Sequence, residues 1–163
     1  ITQKLLPVIS DGGSIVNISS GLTRFSYSNY APYAIMKAAI ESLTRYQAQE
    51  FGSRKIRVNT IAPGAIATDF GGGAVRDNKD LNAMIANTTA LGRVGLPDDI
   101  GSVVAFLCSE DAKWVNAQRI EVSVAFIFKN NPNEKINNIR KQYTQSKSNR
   151  SWLYGYVGVL WFF

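Results

Sequence analysis

Short apolar runs alternate with longer segments of helical periodicity along the first 123 residues. Residues 14–20, 56–62 and 118–123 are rich in β-branched side chains, and they predict strands. The middle of the first run is almost wholly apolar, which predicts a strand buried on both faces. Residues 32–51 and 97–109 have the spacing of helices, and each begins with a proline in its first turn.

The connecting segments complete a simple alternation of elements. Residues 4–9 have the pattern of the end of a helix, and residues 68–92, which include three successive glycines, predict a loop with short helix. Strand, helix, strand, helix and strand at these spacings predict an α/β fold with a parallel sheet covered by helices. We expect about three strands with flanking helices, which is part of a Rossmann-like, doubly wound sheet.

The composition changes near Val124, and we divide the chain into residues 1–124 and 125–163. Up to Val124 there are 12 basic and 11 acidic side chains, whereas the remaining 39 residues hold six basic and one acidic side chain and 9 of the 18 aromatic residues. Residues 130–150 lack any pattern that could bury a face, so a disordered or poorly packed tail is expected. Two interpretations stay open: an out-of-frame or read-through sequence, and a basic arm for nucleic acid or a membrane surface.

The residue types exclude several kinds of chemistry. The chain has no histidine, which removes histidine general bases, Ser-His-Asp machinery and imidazole zinc sites, and we expect no metal. Cys108 is the single cysteine, so an intrachain disulfide is impossible and a reducing, cytoplasmic setting is expected. No apolar run reaches the roughly 18 to 20 residues that a membrane span requires.

Three side chains form a candidate catalytic group. Tyr33 and Lys37 are four residues apart on the predicted helix, so they project from one face. An ammonium beside a phenol favours the phenolate, which makes proton exchange with a substrate oxygen feasible at neutral pH. Ser20 ends the first predicted strand, where ligands bind in open parallel sheets, and its hydroxyl could hold the same oxygen.

The Tyr-x-x-x-Lys spacing is weak evidence alone, because Tyr143 and Lys147 repeat it in the tail without a preceding strand. Around the first copy, however, residues 1–123 resemble the C-terminal half of a short-chain dehydrogenase/reductase. The motifs that carry this resemblance are Ile15-Val-Asn-Ile-Ser-Ser20, Tyr33-Ala-Ile-Met-Lys37, Arg57-Val-Asn59, Pro63-Gly64, Gly92-Arg-Val-Gly-Leu-Pro97 and Gln118-Arg-Ile-Glu-Val122.

The resemblance implies an NAD(P)-dependent oxidoreductase that interconverts an alcohol and a carbonyl compound. Tyr33 would be the acid-base that exchanges the proton, and Ser20 would hydrogen-bond the reacting oxygen. Lys37 would favour the ionised tyrosine and bind the nicotinamide ribose hydroxyls.

The resemblance also implies contacts with the cofactor farther along the chain. Pro63 and Gly64 would form a turn against the nicotinamide. The Ile66 backbone would bond its carboxamide, and Thr68 would contact the carboxamide or the pyrophosphate. Residues 69–91 would be the substrate loop.

The chain departs from the family at both ends. The glycine-rich pyrophosphate turn and the residues that select NAD or NADP are missing, and Val124 and Ala125 stand where the family has two glycines. We therefore expect a truncated, inactive chain whose first strand has an open edge. The alternative is a non-catalytic partner of an intact paralogue. Expected partners are a small alcohol or carbonyl substrate and a homo-oligomer or paralogue, without nucleic acid.

Overall fold

Residues 1–123 are built around a small parallel sheet. The computed structural model describes residues 1–123, and the predicted tail at 125–163, with Tyr143 and Lys147, lies outside that part. The strands are β1 (Ser14–Ile18), β2 (Arg57–Pro63) and β3 (Arg119–Val122). The helices are α1 (Thr2–Leu5), α2 (Ala31–Glu50), α3 (Ala74–Asp77), α4 (Lys79–Thr88) and α5 (Pro97–Cys108), with 3-10 turns at Leu6–Val8, Gly21–Thr23, Gly52–Arg54 and Glu110–Ala112.

The three strands are parallel and lie in the order β1-β2-β3. Ser14 pairs with Arg57, and Ile61 pairs with both Ile18 and Ile120. Each pair of neighbouring strands is joined by a helical connection, as parallel pairing requires. The predicted partial α/β fold is confirmed.

The helices α2 and α5 cover opposite faces of the sheet, because successive residues of a strand point to opposite sides. Val58 packs in a cluster with Ala48 of α2, while Ile61 packs with Leu107 of α5. The α2 face also holds a polar contact, in which the hydroxyls of Thr44 and Thr60 lie 2.5 Å apart.

The first strand differs from its prediction. β1 ends at Ile18 rather than at residue 20, since Ser20 caps the following 3-10 turn by accepting a hydrogen bond from the Leu22 amide. Its residues are half-buried or exposed, and Ile18 is 46% exposed. Within residues 1–123, β1 is an edge strand, which explains why the expectation of burial on both faces was wrong.

The segment after β2 contains more helix than the predicted loop. The chain passes through Gly73 in a left-handed conformation, with φ of 78°, and then enters α3. Asn78 begins α4, where its side chain accepts a hydrogen bond from the Leu81 amide at 3.0 Å. Within residues 1–123, no helix combines the length and apolar composition that crossing a membrane requires.

Candidate active site

The candidate residues gather at the carboxyl ends of β1 and β2. Ser20 follows β1 by two residues, and Pro63 is the last residue of β2. Tyr33 lies in the first turn of α2, the helix that follows Ser20. Crevices beyond the carboxyl ends of parallel strands are the usual ligand sites of open α/β sheets.

Tyr33 and Lys37 are in direct contact on α2. The Lys37 Nζ atom lies 5.6 Å from the centre of the Tyr33 ring, within the range of a cation–π interaction. The same ammonium donates a hydrogen bond to the Ile18 carbonyl oxygen at 2.9 Å. Lys37 is therefore held between the tyrosine and the end of β1.

Ser20 has an extended backbone and a nearly buried side chain. Its φ and ψ are −158° and 150°, and the residue is 9% exposed. Its Oγ atom accepts a hydrogen bond from the Leu22 amide at 3.2 Å. Because the hydroxyl is the acceptor in that contact, its own proton can be donated to a ligand oxygen.

Glu41 joins residues 19–23, here called the serine segment, to α2, and sequence reasoning missed it. Its Oε1 atom accepts hydrogen bonds from Ser19 Oγ at 2.6 Å, Thr23 Oγ1 at 2.8 Å and Arg119 Nε at 2.8 Å. Glu41 follows Lys37 by one helical turn, so the spacing places both on one face, although it gives no hint of Arg119.

The charge of Glu41 is well stabilised. Partial burial acts to raise the pKa of the Glu41 carboxyl, but the hydrogen bonds from Ser19, Arg119 and Thr23 outweigh it and hold that pKa below its usual range. Arg119 also donates to the Ser20 carbonyl oxygen at 3.4 Å. The ion pair thereby links β3 and α2 to the hydroxyls of Ser19 and Thr23 and to the carbonyl oxygen of the candidate serine.

A second carboxylate extends this arrangement on β3. Glu121 accepts hydrogen bonds from Arg24 at 2.5 Å and Arg119 at 3.2 Å. Burial acts to raise the pKa of the Glu121 carboxyl, but its bonds to Arg24, Arg119 and Ser123 hold it below the usual range. The loop after Ser20 is thus tied to the sheet by two ionised carboxylates.

Pro63 and Gly64 form a tight connection against the end of β3. The Gly64 amide donates to the Val122 carbonyl oxygen at 3.2 Å. A Cβ atom at Gly64 would lie 2.8 Å from the Cβ atom of Ser123, closer than non-bonded carbon atoms pack. Glycine at this position therefore lets the two backbones approach.

Ile66 and Thr68 continue from this connection. Ile66 forms a parallel bridge with Gly95, in which the Ala67 amide donates to Gly95 and the Gly95 amide donates to Ala65, both at 2.9 Å. Since the neighbours of Ile66 make these bonds, its own N–H and C=O face away from the bridge. The Thr68 hydroxyl accepts a hydrogen bond from the Phe70 amide at 3.2 Å.

Phe70 is a second residue that sequence reasoning missed. Its ring centre lies 6.1 Å from that of Tyr33, with the ring planes inclined at 48°. Phe70 is nevertheless 73% exposed. No sequence pattern identified this contact, since the two residues belong to a loop and a helix far apart in the chain.

Comparison with known proteins gives the same family for the whole described region. A sequence model of the family described as enoyl-(acyl carrier protein) reductase matches residues 1–124. An uncharacterised oxidoreductase of Methylorubrum extorquens is 40% identical over 122 residues, which make up 75% of this chain and 49% of the relative. A hydroxynaphthalene reductase-like protein of Metarhizium brunneum is 41% identical in an alignment of 131 positions that covers 74% of this chain and 49% of the relative.

Solved structures agree with the sequence relatives. The promiscuous reductase LugOII, which catalyses keto-reduction in lugdunomycin biosynthesis, has a TM-score of 0.71 and 35% identity, and the match covers 76% of this chain and 48% of LugOII. The angucycline C-6 ketoreductase LanV with bound NADP has a TM-score of 0.70 and 37% identity, and the match covers 77% of this chain and 48% of LanV. The chain spans about half the length of the curated relatives it matches. By the match over residues 1–124 and by its fold, this chain belongs to the short-chain dehydrogenase/reductase family.

Proposed function

We propose that the protein acts as an NAD(P)-dependent oxidoreductase that interconverts an alcohol and a carbonyl compound. The observation that carries this proposal is the contact of Lys37 with both the Tyr33 ring and the Ile18 carbonyl oxygen, beside Ser20. Its relatives include oxidoreductases and ketoreductases, which supports the same reaction class.

Ser20, Tyr33 and Lys37 each have a separate proposed role at the reacting oxygen. Ser20 donates its hydroxyl proton in a hydrogen bond to that oxygen and orients the substrate. Tyr33 donates a proton to the oxygen during reduction and accepts one from the alcohol during oxidation. Lys37 stabilises the negative charge that develops on the phenol oxygen when the proton leaves, because an ammonium group favours the ionised neighbour.

The residues present fit the nicotinamide end of a dinucleotide, although the glycine-rich turn for the pyrophosphate is missing from the sequence. The Lys37 ammonium can donate to ribose hydroxyls, the Ile66 N–H and C=O face away from their bridge, and Gly64 supplies a connection without a side chain. Pro63 fixes the entry to that connection, and Thr68 offers a hydroxyl farther along. When bound, the cofactor supplies or removes the hydride. Neighbours with bound NADP or NADPH support this assignment, and NAD is the alternative.

The substrate is proposed to be a small-molecule ketone or the corresponding alcohol. LanV is a C-6 ketoreductase solved with NADP and rabelomycin, and several sequence relatives are hydroxynaphthalene reductase-like proteins. These names favour a ketone attached to a ring system over an open-chain aldehyde.

Assembly with another chain is the second part of the proposal. The exposed side of α2 presents Ile35, Met36, Leu43 and Tyr46, each about half to two-thirds exposed, and large apolar side chains grouped on a helix favour burial in an interface. Either a homo-oligomer or a complex with an intact paralogue would bury this surface. If this proposal is right, replacing Leu43 by lysine lowers the mass of the complex measured by sedimentation. A wild-type protein that is monomeric and does not bind an added paralogue contradicts it.

Activity tests the proposed reaction. Purified protein is mixed with NADPH and 2-tetralone, and consumption of the reduced cofactor is followed by absorbance. The missing pyrophosphate turn predicts that the chain alone is inactive, whereas the proposed reaction predicts turnover in the wild type and a loss of at least about a hundredfold in Tyr33→Phe, which removes the proton donor. Turnover that survives this change would reject the assigned role of Tyr33, and absent turnover in a folded, assembled sample would support the non-catalytic alternative.

A further inference from the structure

An exposed aromatic ring lies beside Tyr33, which is proposed to exchange a proton with the substrate. Phe70 is 73% exposed, although its ring centre lies only 6.1 Å from that of Tyr33. The two planes are inclined at 48°, so the rings form an open corner rather than a stack. A molecule bound beside the Tyr33 ring can therefore also reach the exposed ring of Phe70.

The chain on both sides of Phe70 is braced by local contacts. Before it, the Thr68 hydroxyl accepts the hydrogen bond of the Phe70 amide at 3.2 Å. Around it, the Gly73 amide donates to the Asp69 carbonyl oxygen at 3.1 Å, which closes a turn that contains Phe70. The Asp69 carboxylate is paired with Arg76 of α3.

The turn that contains Phe70 depends on glycine. Gly71, Gly72 and Gly73 have φ values of 65°, 72° and 78°, a run of left-handed conformations that side chains with a Cβ atom rarely adopt. This reversal brings Asp69 and Arg76 together, and the Phe70 ring, within the same turn, stays 73% exposed. The three glycines belong to the predicted substrate loop, and their left-handed conformations shape the turn that carries Phe70.

We propose that Phe70 determines specificity by packing against the ring of an aromatic or aryl-fused ketone whose oxygen is held by Ser20 and Tyr33. This inference rests on the proposed oxidoreductase function and adds the substrate class and the residue that selects it. An aromatic ligand entering the corner can meet Phe70 in an offset or edge-to-face arrangement, which contributes more than the same area of saturated carbon. A saturated ring of equal size gains only the area term.

Two ketones with one carbon skeleton test the selection. 2-Tetralone has an aryl-fused ring, and 2-decalone is its saturated counterpart. In Phe70→Leu, which keeps an apolar side chain but removes the ring, we expect the ratio of kcat/KM for 2-tetralone over 2-decalone to fall about three- to tenfold. The change should appear in KM, since Phe70 does not take part in proton transfer.

A matched control is available on the other side of the sheet. Phe106 of α5 is 43% exposed, and α5 packs on the face opposite α2. Phe106→Leu makes the same change of side chain away from the site and should leave the ratio unchanged. A ratio that stays constant in Phe70→Leu, or falls equally in both variants, overturns the inference.

A binding experiment keeps this inference separate from the proposed reaction. If wild-type protein reduces neither ketone, the proposed function has failed. Binding of 2-naphthol and of 2-decalol is then measured by ligand-observed NMR. Preferential binding of 2-naphthol that is lost in Phe70→Leu supports the aromatic site without turnover. Equal binding of the two alcohols, or no binding of either, overturns it.

Discussion

Replacing Glu41 by glutamine removes one charge from the point where β3, α2 and the serine segment meet. Glutamine keeps an oxygen at the position of Oε1, so the hydrogen bonds from Ser19 and Thr23 retain an acceptor. The substitution therefore isolates the effect of the charge on Arg119, which lies 2.8 Å from Glu41. We expect this charge to contribute to the stability of the whole described region.

The size of the effect follows from the burial of the pair. Breaking a fully buried ion pair from one side costs about 3–5 kcal/mol. The side chains of Glu41 and Arg119 are 15% and 22% exposed, so solvent screening reduces this figure, and we expect a loss of about 2 kcal/mol. For a domain of this size, that loss lowers Tm by about 8 °C.

Thermal and urea unfolding measure this loss directly. Asp11→Asn serves as the control, because Asp11 is 72% exposed in its ion pair with Arg54 and its removal should cost no more than about 0.5 kcal/mol. A double-mutant cycle with Arg119→Met then gives the coupling between the two charges. A loss below about 0.5 kcal/mol in Glu41→Gln, or one equal to that in Asp11→Asn, would refute the reasoning.

Two further predictions concern pH and backbone packing. The pKa of Glu41 is lowered in the folded protein, so its contribution to stability is complete above its ordinary value of 4.5 and is lost as pH falls through the folded pKa. Between pH 7 and pH 3, the free energy of unfolding should therefore fall less steeply in Glu41→Gln than in the wild type. Equal slopes would contradict this expectation. Gly64→Ala should destabilise the protein by about 1–3 kcal/mol because its Cβ atom would crowd Ser123, whereas Gly101→Ala, in an open position of α5, should stabilise it by about 0.5–1 kcal/mol. Urea unfolding compares the two, and similar effects would show that the contact with Ser123 is unimportant.

Local signals in the sequence predicted most of the fold. Proline in the first turn and β-branched runs located α2, α5 and the three strands to within about two residues. The burial of β1 was predicted incorrectly from its apolar residues, although the comparison with the family pattern had predicted its open edge. The helix α4 was underestimated, although Asn78 is a residue type typical of a helix start.

The candidate site was predictable only where it is local. Tyr33 and Lys37 meet because they are one turn apart on a helix, so spacing alone suggested their contact. Arg119 lies 78 residues from Glu41, and their ion pair exists only because the fold brings a side chain of β3 to α2. The contact of Phe70 with Tyr33 likewise depends on the folded path of a loop.

Binding of a nicotinamide cofactor tests the central claim most directly. The purified protein is titrated with NADPH and then with NADH while the fluorescence of the reduced nicotinamide is recorded, and Lys37→Ala is compared with Lys113→Ala, which changes an exposed lysine beyond α5. Even without the glycine-rich pyrophosphate turn, the proposed contact of Lys37 with the nicotinamide ribose predicts saturable binding. Lys37→Ala should weaken this binding about tenfold or more, because a charged hydrogen-bond donor is lost, whereas Lys113→Ala should leave it unchanged. No saturable binding by a folded sample, or equal binding in both variants, would contradict the account.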